Sequence, residues 1–153
     1  MSQFVAFSLS SQRFALPLAS VERILGVVEI TPLPKAPPII LGIVNIRGFM
    51  VPVFDLRRRF GLPDREIELQ DHLIVSRSRH RRVALIVDEA NSVMECPEKD
   101  IVKANEILPD LEYVEGVATL DEGIVLIHNL DKFLSLEEEM LLDEAITDAQ
   151  TVS

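Results

Sequence analysis

The strongest structural signal in this chain lies in residues 41–62, which read Leu-Gly-Ile-Val-Asn-Ile-Arg-Gly-Phe-Met-Val-Pro-Val-Phe-Asp-Leu-Arg-Arg-Arg-Phe-Gly-Leu. Two apolar runs meet at Arg47-Gly48, where glycine can adopt the backbone angles that a tight turn needs. The segment therefore predicts two paired strands joined by this turn. A charged side chain is rarely buried without a partner. Arg47 either pairs with an internal acid such as Asp55 or belongs to a binding surface.

Strand signals continue on both sides of this hairpin. The residues alternate between apolar and polar over short runs that are separated by polar turns. This pattern predicts three further hairpins, with strands Gln3–Leu9 and Phe14–Leu18, Asp71–Ser76 and Val83–Asp88, and Tyr113–Thr119 and Gly123–Asn129. Many short strands with frequent turns are typical of an all-β barrel or sandwich with added helices.

Helical signals are few. Val21, Ile24 and Leu25 have the i, i+3, i+4 spacing of one helix face, which predicts a short helix within Leu18–Leu25. Asp55 is placed to cap a helical turn over Leu56–Phe60. A terminal helix is predicted over Leu136–Ile146, with residues 147–153 frayed.

Between the first helical signal and the central hairpin, the pattern predicts a strand at Val27–Ile30. An extended connection follows through Pro32–Pro38, since its four prolines lack backbone donors and have a fixed φ.

Composition limits the class of protein. A chain of 153 residues has the size of one domain and can bury a sizeable core. No apolar stretch approaches the ~20 residues that a membrane-spanning helix needs. The N-terminus lacks the features of a secretory signal, which predicts a cytosolic protein. Cys96 is the single cysteine, so no internal disulfide is possible.

Charge is divided unevenly along the chain. Residues 1–82 carry 12 basic and 7 acidic side chains, while residues 83–153 carry 3 and 18. The overall acidity argues against a nucleic-acid partner, because nucleic acids bind basic surfaces. Of the two basic clusters, Arg57-Arg58-Arg59 lies on one helical turn and is predicted to be solvated. The Arg77–Arg82 segment is either a solvated tip or contacts an acidic partner, including the acidic half of this chain or of another copy.

The usual catalytic patterns are absent from the sequence. His72, His80 and His128 are far apart and do not form a helical metal motif, and no glycine-rich phosphate loop is present. Neighbouring strand residues such as Asp88 and Glu89 point to opposite faces and do not share a proton. We therefore predict no enzymatic activity, no metal and no cofactor.

The chain resembles the CheW family, the chemotaxis coupling proteins. The most specific motif is Gly42-Ile-Val-Asn-Ile-Arg-Gly48 followed by Val51-Pro-Val-Phe-Asp-Leu-Arg57. Further segments are similar to the family in order and spacing. They include Phe4-Val-Ala-Phe-Ser-Leu9, Val83-Ala-Leu-Ile-Val-Asp88 and Leu130-Asp-Lys-Phe-Leu134.

The resemblance implies a single domain over residues 1–153, made of two intertwined five-stranded barrels of the Src-homology-3-like type and a C-terminal helix. It also implies a non-catalytic cytoplasmic adaptor of receptor arrays. Its expected partners are the cytoplasmic tips of methyl-accepting chemoreceptors and the regulatory domain of the histidine kinase CheA.

The resemblance further implies two binding surfaces. Receptor-binding positions carried over from the family are Val21, Ile24, Gly42, Asn45, Arg47 and Gly48. Arg23 belongs with them as a departure, since many members have an acid there, and His72 departs from a position that is usually apolar. Kinase contacts are expected around Ile107. Changed charges can alter which receptor fits, because specificity often depends on repulsion.

Other functions stay open on the sequence alone. The same scaffold could serve a chemosensory system that controls pili or development. A small enzyme with an unrecognised site would need convergent titratable groups in a polar pocket. Nucleic-acid binding through the Arg77–Arg82 segment would depend strongly on salt.

Overall fold

The computed structural model describes residues 2–103, 114–120 and 123–151. Its strands are β1 Ser2–Leu9, β2 Gln12–Pro17, β3 Val21–Gly26, β4 Ile40–Ile46, β5 Phe49–Phe54, β6 His72–Arg77, β7 Arg82–Val87, β8 Glu89–Cys96, β9 Ile101–Lys103, β10 Val114–Leu120 and β11 Gly123–His128. The α-helices are α1 Leu56–Arg59 and α2 Leu136–Thr151, and single 3₁₀ turns span Leu18–Ser20, Glu98–Asp100 and Leu130–Lys132.

The strands form two barrel-like sheets. The five-stranded sheet has the order β3-β6-β7-β5-β4, and the other has the order β8-β1-β2-β11-β10-β9. Sheet neighbours are antiparallel except for the pairs β5–β7 and β2–β11. The two-sheet fold predicted from the resemblance is confirmed. The second sheet has six described strands instead of five, because the short strand β9 pairs with the edge of β10.

The two sheets are nested along the chain. All strands of the five-stranded sheet come from the continuous segment 21–87. The six-stranded sheet takes β1 and β2 from before that segment and β8–β11 from after it. The parallel pair of β2 with β11 joins the early and late parts of the chain.

The main hydrophobic core is shared between the sheets. Phe14 and Leu16 of β2 pack in one cluster with Leu85 of β7 and with Leu142 of α2. Burying each such side chain contributes about 1.5–3 kcal/mol. A second cluster fills the five-stranded sheet and a third fills the six-stranded sheet. The shared cluster fixes how the two sheets are arranged.

The helix predicted within Leu18–Leu25 is wrong in its main part. Leu18–Ser20 forms a single 3₁₀ turn, but Val21–Gly26 is strand β3. The register shifts between Val21 and Arg23, so Val21 pairs with Ser76 while Ile24 pairs with Ile74. A bulge therefore places two residues that are three apart on the same face of a strand. Residues on one face of a helix have the same spacing, which is why the sequence pattern predicted a helix here.

The strand predicted at Val27–Ile30 is also absent. Thr31 forms a single bridge to Ile43, with backbone hydrogen bonds of 2.9 and 2.8 Å. Pro32 follows at once and has no N–H to extend the pairing. The proline-rich connection is not simply extended, because the Ala36 N–H donates to Leu33 O and Lys35 has a φ of 69°.

Helix α2 begins with a capping box. The Glu138 N–H donates to Ser135 Oγ at 3.1 Å, and the Ser135 N–H donates to Glu138 Oε1 at 2.9 Å. This reciprocal pair satisfies two donors at the start of the helix. The helix is described through Thr151, so it is longer than predicted and residues 147–151 are helical.

Candidate functional site

The β4–β5 hairpin ends in a two-residue turn whose central residues are Arg47 and Gly48. Both have positive φ, 51° and 89°, as a type I′ hairpin turn requires. The Gly48 N–H donates to Asn45 Oδ1 at 2.7 Å, which ties the turn to the strand before it. The structure thus brings together the predicted residues Asn45, Arg47 and Gly48.

Arg47 is the unusual residue of this turn. A left-handed conformation costs a residue with a side chain about 1–2 kcal/mol. Arg47 is exposed, and within residues 2–103, 114–120 and 123–151 it has no ion pair. Asp55 caps α1 by accepting from the Arg58 N–H, as predicted. The alternative in which Arg47 pairs with Asp55 is therefore wrong.

Two large apolar side chains follow the turn and face solvent. Phe49 is 60% exposed and Met50 is 53% exposed. Met50 is opposite the exposed Asn45 in the β4–β5 register, whereas Val44 and Ile46 are buried. Met50 is therefore not a core residue. We call the exposed residues at the hairpin end, 45 and 47–50, which project from both sides of the strands, the hairpin face.

Strand β3 carries the predicted residues Val21, Arg23 and Ile24. Val21 is half-buried against the shared core, and Ile24 is 39% exposed. Arg23 is half-buried and is paired with Val75 in the register, which places these two side chains on the same face. β3 is an edge strand of the sheet that contains the hairpin face.

Arg82 connects β3 to the hairpin face. Its Nε donates to the two carboxylate oxygens of Glu22 at 2.9 and 3.0 Å. Its guanidinium carbon lies 4.8 Å from the centre of the Phe49 ring. Cations over aromatic rings are attracted by the ring quadrupole. The sequence reasoning missed this trio of Glu22, Phe49 and Arg82.

The sequence contained a signal that at least one of the two apolar side chains after the turn is exposed, but not which one. Phe49 and Met50 are consecutive in a strand, and successive strand residues point to opposite faces. A single buried face could not hold both side chains. No comparable signal pointed to Arg82, because its contacts come from distant parts of the chain.

Gly42 has a packing role. A Cβ at this position would lie 2.3 Å from Thr31 O and 2.9 Å from Ile30 Cγ2. Only a residue without a side chain lets the segment at Thr31 bridge to the edge of β4. This explains the glycine without any partner protein, and its receptor-binding role stays a prediction.

The kinase-binding prediction at Ile107 lies outside the described residues. His72, the other departure from the family, is at the start of β6 and pairs with Gly26 and Val87 in the register. Its effect on receptor choice stays a prediction.

The basic Arg77–Arg82 segment contacts the acidic half of the chain. Arg81 donates to Glu139 at 2.7 Å and also to Asp143. The Arg79 N–H donates to Asp131, and Arg59 of the other basic cluster pairs with Glu138. The interpretation in which the acidic half of this chain neutralises the Arg77–Arg82 segment is confirmed for Arg81. The solvated position predicted for Arg59 is wrong, because Arg59 pairs with Glu138.

A second charged group, which we call the Asp88 cluster, is made of Arg57, Arg65, Asp71 and Asp88. Asp88 accepts from both arginines and from the Ser10 N–H, and Arg57 also donates to Ser10 Oγ. Arg65 donates to Asp71 at 2.8 Å. Arg57 is 9% exposed and Asp71 is 2% exposed, so neither is a solvated surface residue.

The cluster shifts the acidity of its members. Burial raises the pKa of Asp88, but hydrogen bonds from Arg57 and Arg65 outweigh it and hold that pKa below its usual range. Hydrogen bonds to Asp71 and Asp88 raise the pKa of Arg65. Glu138 behaves like Asp88, because bonds from Ser135 and Arg59 lower its pKa more than burial raises it.

The remaining candidate groups have packing roles. His128 is buried and stacks on Phe60, with ring centres 4.5 Å apart. Burial raises the pKa of the Cys96 thiol, which opposes thiolate chemistry. Among the residues that the structure describes, no group of three or more His, Cys, Asp or Glu is arranged to hold a metal. Within the same ranges, no helix is both long and apolar enough to span a membrane.

Comparison with known proteins agrees with this architecture. Residues 3–138 match the family described as CheW-like domain. The chemotaxis protein CheW of Rhizobium meliloti is 29% identical over 138 residues, which cover 89% of each chain. CheW of Bacillus subtilis is 35% identical over 104 residues, covering 68% of this chain and 67% of the relative.

A solved structure shows the same fold. The scaffolding protein TtCheW from Thermoanaerobacter tengcongensis superimposes with a TM-score of 0.82 at 30% sequence identity. The match covers 90% of this chain and 94% of that one. With the family match over most of its length, this chain belongs to the CheW-like domain family.

Proposed function

We propose that this chain is a non-catalytic adaptor of bacterial chemotaxis, which couples the cytoplasmic tips of chemoreceptors to the histidine kinase CheA. The relatives that match it carry the names of chemotaxis proteins, and the matching structure is named a scaffolding protein. These names favour a chemotaxis pathway over the pili or developmental alternative. Array association and a cytoplasmic location belong to the same proposal.

The hairpin face is the proposed receptor-binding surface. The observation that carries this assignment is Arg47, which is exposed in a strained conformation and without a partner in the described ranges. The type I′ turn requires this conformation, but arginine is an unfavourable residue for it, and strained residues are often found at functional sites. The exposed Phe49 adds apolar area that a helical partner could cover.

A kinase-binding surface around Ile107 is proposed from the family resemblance alone, since this residue lies outside those that the structure describes. A scaffold with two binding surfaces can bind both partners at once and hold them at a fixed separation. Electrostatic complementarity would orient the encounter, since the chain carries opposite net charges in its two halves.

The observed ion pairs weigh against the nucleic-acid alternative. Arg81 and Arg82 of the basic segment are already paired with carboxylates of this chain. Binding to phosphates would have to displace these acids. An enzyme is likewise not supported, because the carboxylates with lowered pKa values are held in ion pairs with arginines.

The test is a binding assay with a soluble receptor cytoplasmic fragment and, separately, with CheA. We expect Arg47→Ala to weaken receptor binding about tenfold, as loss of an interface arginine often does. Kinase binding and the melting temperature should stay near the wild-type values. Lys99→Ala removes another exposed cation and is the matched control for receptor binding.

Two outcomes would contradict the proposal. A wild-type protein that binds neither fragment is not a coupling adaptor. An Arg47→Ala protein that is unfolded, or that loses both partners together, would show that Arg47 has a structural role.

A further inference from the structure

Phe49 combines two properties that rarely occur together. Its ring is largely exposed, yet a charged side chain lies over it and is itself held by a carboxylate. Arg82 contacts the ring and shares its Nε–H between the two oxygens of Glu22, which restricts the guanidinium. Exposed apolar groups that are fixed in advance lose less entropy on binding, which is how anchor residues gain affinity.

The charges around the ring indicate what it can accept. Glu22 is occupied by Arg82. Arg47, two residues before Phe49 in the chain, has no ion pair among the residues that the structure describes. The ring therefore lies at the end of a hairpin that carries an uncompensated positive charge. A complementary partner would present an apolar side chain with a carboxylate close to it.

We propose that Phe49 is the apolar anchor of the receptor-binding surface, that Arg82 and Glu22 are its positioning residues, and that its occupant is an apolar side chain of the receptor helix flanked by a carboxylate. This inference rests on the proposed function of the hairpin face. The inference adds which residue of the hairpin face supplies the binding affinity. It also adds the chemistry of the receptor segment that this residue contacts.

The first experiment measures the affinity of a soluble receptor cytoplasmic fragment for the full chain by calorimetry. Phe49→Ala should weaken binding about tenfold or more, as truncation of an aromatic hot spot does. Its kinase affinity and melting temperature should match those of the wild type, because the ring is mostly exposed. Ile124→Ala, in the six-stranded sheet, removes a side chain with similar exposure, 64%, and is the control.

The positioning role is tested by a double-mutant cycle. Arg82→Gln should weaken receptor binding by a few-fold in the wild-type background and have no further effect in the Phe49→Ala background, because coupled residues are not additive. Equal losses in both backgrounds would mean that Arg82 contacts the receptor by itself and would overturn its positioning role.

The predicted carboxylate is tested by ionic strength. Wild-type affinity should fall as salt is added, and Arg47→Ala should reduce that dependence, since screening acts on exposed charge pairs. An unchanged dependence would overturn the acidic part of the occupant. If the wild type binds the receptor fragment and Phe49→Ala binds equally well, the anchor is refuted while the proposed function stands. If the wild type does not bind, both fail.

Discussion

The Asp88 cluster and the hairpin face both depend on arginines, but the two regions use them in opposite ways. In the cluster, Arg57 and Arg65 find carboxylates and lie where the two sheets meet. On the hairpin face, Arg47 extends from a strained turn into solvent with no acid of the described chain beside it. The ion pairs of the cluster stabilise this fold. The left-handed conformation of Arg47 lowers the stability of the fold, and only contacts with a partner protein can compensate for that loss.

This contrast separates residues that maintain the structure from residues kept for binding. A structural arginine makes the protein less stable when its partner is removed. A binding arginine in a strained position can be replaced with a gain in stability and a loss of function. Stability measurements can therefore classify these positions before any partner is identified.

The largest effect is expected at Asp88. Asp88→Asn removes the charge shared by Arg57 and Arg65 and leaves a buried guanidinium poorly compensated. Breaking such a pair costs about 3 kcal/mol. Urea unfolding measures this loss, and Asp64→Asn, at an exposed acid close by, should change the free energy of unfolding little. Equal stability of the two variants would remove the contrast between the regions.

Lowering the pH should weaken the ion pairs of Asp88 and also those of Glu138. Because the folded-state pKa values of Asp88 and Glu138 lie below their ordinary values, their contributions to stability are fully present above the unfolded pKa of about 4. They are lost as the pH falls through the folded-state values. The free energy of unfolding should decrease below about pH 4, and the decrease should be shallower in Asp88→Asn. An unchanged slope would show that Asp88 is not paired.

A somewhat smaller effect is expected at Gly42, which tests whether this family position is kept for packing. Gly42→Ala places a Cβ against Thr31 O and should cost about 2 kcal/mol, as overpacking does. The control is Gly26→Ala, because nothing lies within 4 Å of a Cβ built there. If Gly42→Ala is as stable as wild type but binds receptor poorly, the residue belongs with the hairpin face.

The smallest change in stability should have the opposite sign. Arg47→Asn puts at the first turn position a residue that tolerates the left-handed conformation and suits a type I′ turn before glycine. We expect the free energy of unfolding to rise by about 0.5–1 kcal/mol while receptor affinity falls. A loss of stability, measured by urea unfolding, would show that Arg47 supports the fold.

The strands were predictable from sequence where a run of alternating apolar and polar residues ended at a clear turn signal. The hairpin around Arg47-Gly48 and the first hairpin at Ser10-Ser11 both have the predicted turns. The prediction failed at β3, because a bulge at Glu22 gave Val21 and Ile24 helical spacing. Local periodicity cannot reveal a bulge, since the bulge depends on pairing with a distant strand.

The candidate site was only partly predictable. The turn residues were found because Arg47 is anomalous between apolar runs. Phe49, Arg82 and Glu22 were missed, because their contact joins residues up to 60 positions apart. The pairing of each arginine with a particular carboxylate likewise depends on the tertiary fold. Arg59 and Arg81 pair with α2, and no spacing rule connects them to it.

The nested order of the two sheets has a consequence for biosynthesis. As the chain leaves the ribosome, all of segment 21–87 emerges before the partner of β2 in β11 has been made. The five-stranded sheet can close early, while the N-terminal hairpin waits with an open edge. An isolated two-stranded hairpin is barely stable in water. That hairpin therefore keeps the edge of β2 unpaired until β11 has been made, and an unpaired strand edge is exposed to wrong association in the nascent polypeptide.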